Sequence, residues 1–198
     1  MILLLQASKV RFLPRKLFIV SFLFFQLSGW GQEPLDVLLK EGADFPYGWV
    51  GIWKGELQIF RPEGLQQSLP MQLHILPTDS TGQYSWMIIY GPDTPDNRRN
   101  YLLNTIDRAK GHFQIDERNS IVLDAYFFNN TLFSRFSVMG SLLLSSYEMR
   151  NGQLVFEIIA GSSTPVNRTG DTIVDEEEIP AVEAFPVGVM QRGVLVRE

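Results

Sequence analysis

Cysteine is absent from the 198 residues and histidine occurs only twice. The first absence removes disulfides, thiol nucleophiles and thiolate metal sites. The second leaves His74 and His112 on separate stretches with no acidic partner at metal-ligand spacing, so no metal site is assigned. The Gly-x-Ser-x-Gly elbow, the phosphate loop, the dinucleotide fingerprint and the His-Glu-x-x-His pair are missing too. No catalytic residue and no cofactor follow from the sequence, and nothing in it recommends an enzyme. Basic charge is scarce: 17 Lys and Arg stand against 22 Asp and Glu. An acidic chain of this kind argues against nucleic acid and anionic membrane surfaces as partners, because both are bound through basic patches.

The cations that do occur are bunched at the start. Lys9, Arg11, Arg15 and Lys16 precede the apolar run Leu17–Leu27, and Gly29 and Gly31 flank Trp30. This is the pattern of a signal peptide, read here as residues 1–31 with a mature domain over 32–198. The run is short for a bilayer span, so membrane insertion is not expected after cleavage. Removing the four cations takes the net charge from −5 to −9. An exported domain without disulfides depends on its core alone, which about 165 residues can supply. These features point to a periplasmic or secreted protein of bacterial type.

Long helical patterns are the next absence. Only Pro34–Glu41 places leucines at helical spacing, and Gly42 is placed to end it. Beyond Pro46 the period is two. Trp49, Gly51, Trp53, Gly55, Leu57 and Ile59 share one face of the first strand, Trp49–Phe60, and that face is read as internal. Glycines beside tryptophans on an inward face mark a strand that coils sharply or makes room for an indole. Further strands are expected over 69–76, 84–91, 99–106, 111–116, 120–128, 131–138, 141–150 and 153–160. The pairs Asn129–Asn130 and Asn151–Gly152 are suited to tight hairpins. Gly161–Pro180 is polar and acidic and reads as a long loop, and 181–197 as one or two strands broken near Pro186 and Gly193. About ten strands on short connections, with no helix for a parallel crossover, predict an all-β fold: a single antiparallel up-and-down barrel of about 8–10 strands with a short N-terminal helix. A sandwich with a bulged first strand is the alternative.

Gly51, Ile52 and Trp53 form a Gly-x-Trp on the first strand, which resembles the signature of the lipocalin and calycin superfamily of ligand-binding barrels. The resemblance implies that Trp53 closes one barrel end under a basic residue from a late strand, for which Arg192 and Arg197 are the candidates. It also implies an interior that holds an apolar ligand. The inward faces offer Trp53, Leu57, Met71, Leu73, Trp86 and Ile88, followed by Phe136, Val138, Phe156 and Ile158. The same side chains would equally fill an empty core. Alternation places Arg135, Tyr147 and Glu157 outside. Three functions are consistent with this reading. The first is carriage of a small apolar ligand without catalysis. The others are docking of an envelope protein on a filled barrel, and a hydrolase or isomerase site at the mouth, which needs polar groups converging inside it.

Overall fold

The computed structural model describes residues 45–198. The expected signal segment and the helix over Pro34–Glu41 lie outside them. The chain enters through a 3-10 turn, Tyr47–Trp49. It continues as β1 (Gly51–Arg61), β2 (Gly64–Pro77), β3 (Gln83–Tyr90), β4 (Arg98–Asp107) and β5 (His112–Asp116). Then come β6 (Val122–Phe128), β7 (Thr131–Val138), β8 (Ser141–Arg150) and β9 (Gln153–Ser162). The last strand, β14 (Val189–Arg197), pairs with both β9 and β1, so ten antiparallel strands close into a barrel. Closure leaves no barrel edge unpaired, and the expected all-β barrel is what forms.

Local chemistry explains the hairpins. Asn129 and Asn130 both take positive φ, 50° and 57°, the twist that a two-residue turn between right-twisted strands needs. Asn151 and Gly152 repeat it at 52° and 74°. In β1 the alternation fixes which face is internal. A Cβ at Gly55 would lie 2.0 Å from the Val194 carbonyl oxygen, so only glycine lets β1 press this closely on β14. The strand bulges between Ile59 and Phe60, where the register with β2 shifts.

Two expectations about the chain's last third need correcting. The stretch read as a long loop contains four three-residue strands: β10 (Asn167–Thr169), β11 (Thr172–Val174), β12 (Glu177–Ile179) and β13 (Val182–Ala184). β10 pairs with β13 and β11 with β12, so they nest as one hairpin arm turning at Asp175–Glu176. The two ladders are interrupted where Gly170 faces Pro180, whose nitrogen carries no proton to donate. Short strands with no apolar face leave no period to read. Second, β14 runs unbroken through Gly193, which pairs with Leu57 on one side and Phe156 on the other.

Candidate ligand site in the barrel lumen

The two ends of the barrel differ. One is sealed by the segment that precedes β1. Phe45 and Trp49 are buried there, and Phe45 stacks on Phe127 at 4.5 Å and meets Phe113 edge-on at 4.8 Å. Trp53 lies beneath them. Its indole N–H donates to the Trp49 carbonyl at 2.8 Å, and the Arg197 guanidinium covers its ring at 4.5 Å from the centroid. Arg197 also donates to the Gly48 carbonyl, so one side chain from the last strand ties together the entry turn and the first strand. A Cβ at Gly51 would sit 3.4 Å from the Arg197 side chain, and the missing one leaves room for that arginine. Arg192 does not share this role. It stands one position out of phase with Arg197, points outward and approaches Glu157 at 3.7 Å.

Inward-facing residues nearest this end are packed tight: Trp53, Leu73, Ile75 and Phe113 are each 1% exposed or less. Towards the other end the inward faces change. Ile59, Leu69, Leu123, Phe136, Leu143 and Ile158 are only half-buried, although the pairing registers place them on the lumen side. The lumen is thus a fully packed plug below and a partly buried apolar half, the cup, above. Trp86 from β3 and Tyr147 from β8, on opposite walls, meet edge-to-face at 5.0 Å and floor the cup. Phe156 supports Tyr147 from beside it, at 4.9 Å.

Polar groups gather on this floor and the wall above it. Burial, and then the neighbouring Tyr90 phenol, push Tyr147 well above the ordinary tyrosine range. Burial, and then Tyr101, raise Tyr90, while burial and the Glu117 carboxylate raise Tyr101. All three therefore stay protonated near neutral pH and remain donors. The Trp86 indole N–H, fully buried, has no partner that meets hydrogen-bond geometry, although the Tyr147 hydroxyl is close enough to feel it. Ser134 and Ser145 also face inward, but their hydroxyls donate to the Asp124 and Ser134 carbonyls at 2.7 and 3.4 Å.

The expected lining falls into three groups. Leu57, Met71, Leu73, Ile88 and Phe156 join Trp53 and Trp86 in the buried core. Phe136 and Ile158 line the cup, and Val138 reaches the rim, 46% exposed. Arg135 and Glu157 face outward as expected. Tyr147 does not, and is the functional group that the alternation misplaced. The inward set on β8 is Leu143, Ser145, Tyr147 and Met149, and the serine within it makes Leu142 and Leu144 look like the apolar face. The tyrosines at Tyr90 and Tyr101 were likewise not singled out, although Tyr90 ends an inward-facing apolar row.

The histidines stay on the outside. His74 bonds Gln72 across 3.0 Å, and burial lowers its pKa. His112 contacts Asp124 at 2.7 Å and stacks on Tyr126 at 5.0 Å, so it has the acidic partner that linear spacing hid. Among the described residues no three potential ligands gather around a metal position.

No protein-family model and no curated protein sequence matches the chain. Among solved structures the fold is similar to that of a DUF3598-family protein of unknown function from Nostoc punctiforme. The TM-score is 0.50 at 11% identity, over 75% of this chain and 47% of that one. This chain therefore spans about half the length of that protein, and the likeness concerns the fold alone.

Proposed function

We propose that this chain is an exported, lipocalin-like barrel that binds a small apolar molecule in the partly buried half of its lumen and carries it chemically unchanged. The observation that supports the reading is the division of one continuous set of inward faces into a fully buried end and a partly buried one. A barrel built only for stability gains by packing its interior throughout, whereas Phe136, Leu143 and Ile158, above the Trp86–Tyr147 pair, are only partly buried. The lipocalin and calycin resemblance is supported at the other end, where Trp53 lies between the entry turn and Arg197. Signal-like residues 1–31 support export.

Native mass spectrometry of the mature protein purified from its own host tests the proposal, with organic extraction of whatever is bound. A stoichiometric small molecule is expected, and its loss in Ile158→Arg, which sets a cation against the cup wall, would locate it. A clean mass for the parent protein would turn attention to the second reading, in which the arm engages another envelope protein. That reading has its own support in Ile173 of β11 and Val182 of β13, 72% and 58% exposed on an arm that carries several carboxylates.

A further inference from the structure

The outer wall of the barrel changes character along β8 and β9. Away from the arm its outward side chains are charged, and Glu148 pairs with Arg150 and Glu157 with Arg192. Nearer the arm they are hydrocarbon. Leu142 and Leu144 on β8 and Ile159 on β9 stand outward, with Leu144 and Ile159 40% and 42% exposed. Over this face runs a strap, Phe185–Val187, which links β13 to β14. It is pressed onto the wall at Gly161, where a Cβ would lie 1.8 Å from the Pro186 carbonyl oxygen. Gly188 fastens its far end by donating to the Ala160 carbonyl at 2.9 Å. Strap and wall bound a cavity of about 230 Å³, lined by Leu142, Leu144, Ile159, Phe185 and Val187 together with Arg135.

The pairing registers set these groups in a row. Arg135 faces Leu144 and Leu144 faces Ile159, so a cation stands at one end of an apolar track. The track crosses two interstrand spacings, roughly 10 Å. Arg135 joins no ion pair among the described residues, and the carboxylates on the neighbouring wall are engaged elsewhere. Glu148 and Glu157 are held by the arginines already named, and Asp124 by His112 and Gln114 at 2.7 and 3.1 Å. Apolar side chains gathered on an outward face and rimmed by charge mark a binding surface. At about 230 Å³ the cavity is smaller than the roughly 300–1,000 Å³ of drug-sized sites, which suits a single short chain.

We propose that this crevice, outside the lumen, binds a short- to medium-chain carboxylate. Its anion lies on the Arg135 guanidinium, which matches a carboxylate in shape as well as charge, and its tail crosses Leu144 and Ile159 beneath the strap. The site is separate from the cup and stands or falls without it.

The experiment is titration of the mature protein, labelled at its Leu, Ile and Val methyls, with octanoate and with octanol, followed by NMR. Octanoate is expected to shift Leu144, Ile159 and Val187 at about fivefold lower concentration than octanol, the upper end of what an exposed charge pair gives. Added salt should narrow that gap. Arg135→Gln should bring the two probes level and leave the fold intact, because the side chain is exposed. Gly161→Ala drives the strap off the wall and should weaken both probes alike. Equal affinities in the parent, or no effect of Arg135→Gln, would overturn the role given to the cation and with it the proposal. Shifts confined to Leu69 and Leu123 would overturn it by placing the chain in the lumen. No shift with either probe would overturn it in favour of a side chain from another protein as the occupant.

Discussion

Trp53 is held on two sides, by the turn four residues before it and by the last strand of the barrel. The Trp49 carbonyl accepts its N–H and the Arg197 guanidinium covers its face. Replacing a buried tryptophan of this size by alanine is expected to cost about 3–5 kcal/mol, read as a lower denaturant midpoint at unchanged slope. Arg197→Leu keeps an apolar stem and removes only the cation over the ring, so its cost should be smaller, about 0.5–2 kcal/mol. Should Trp53→Ala unfold at the parent's midpoint, the sealed end is not what holds β1 to the last strand. Trp53 itself was legible in the sequence, because it sits in an unbroken period of two between glycines. Which arginine covers it was not. Arg192 and Arg197 lie five positions apart on one strand, hence on opposite faces, and the choice depends on whether that strand is continuous through Gly193. Glycine in a strand reads as a break when its partners are unknown. Its actual reason is close packing, with the Met71 sulfur 3.2 Å from where a Cβ would stand.

At the scale of elements, the strands with a strict apolar face could be placed to within a few residues, and those without one could not. β7 begins and ends where its period of two begins and ends. The arm has no such face: nearly every residue from Ser162 to Ala184 is exposed, and its ladders are held by backbone hydrogen bonds and positive-φ turns, with one exposed ion pair between Arg168 and Asp171. An element that buries so little contributes little to the fold. Replacing Thr164–Ala184 by a short glycine-rich turn is therefore expected to change stability by no more than about 1 kcal/mol, since shortening a closed loop alters its entropy only slowly. The junction is preset for such a cut. Ser163 donates to the Gly140 carbonyl at 2.8 Å, and Gly188 to the Ala160 carbonyl at 2.9 Å. Thermal melts of the two proteins check it, and a large loss would mean that the arm braces the barrel after all. The cup was harder to foresee than the arm. Period-two reading gives which residues face inward but not how far the opposite wall stands from each, and that distance separates plug from cup.

For the whole molecule the decisive step is closure. The first and last strands meet along an eight-residue register from Trp53 with Arg197 to Phe60 with Met190, so the barrel has no seam until the end of the chain arrives. Pairing across that separation must overcome the entropy of closing nearly the whole chain, which makes β14 the expected last strand to dock and the fold a slow one. Removing Val189–Glu198 would expose the edges of β1 and β9 together and take Arg197 away from Trp53. The truncated chain is expected to lose its cooperative transition and its near-ultraviolet aromatic signal, and to aggregate through the two open edges. A synthetic peptide of residues 189–198 should restore both signals by strand addition, because both flanking strands offer it complete ladders. Restoration by a peptide carrying Arg197→Leu but not by one carrying Gly193→Val would separate the two contributions of the strand. The arginine adds stability at the sealed end, whereas Gly193, tight against Met71 and Leu57, decides whether the barrel can close.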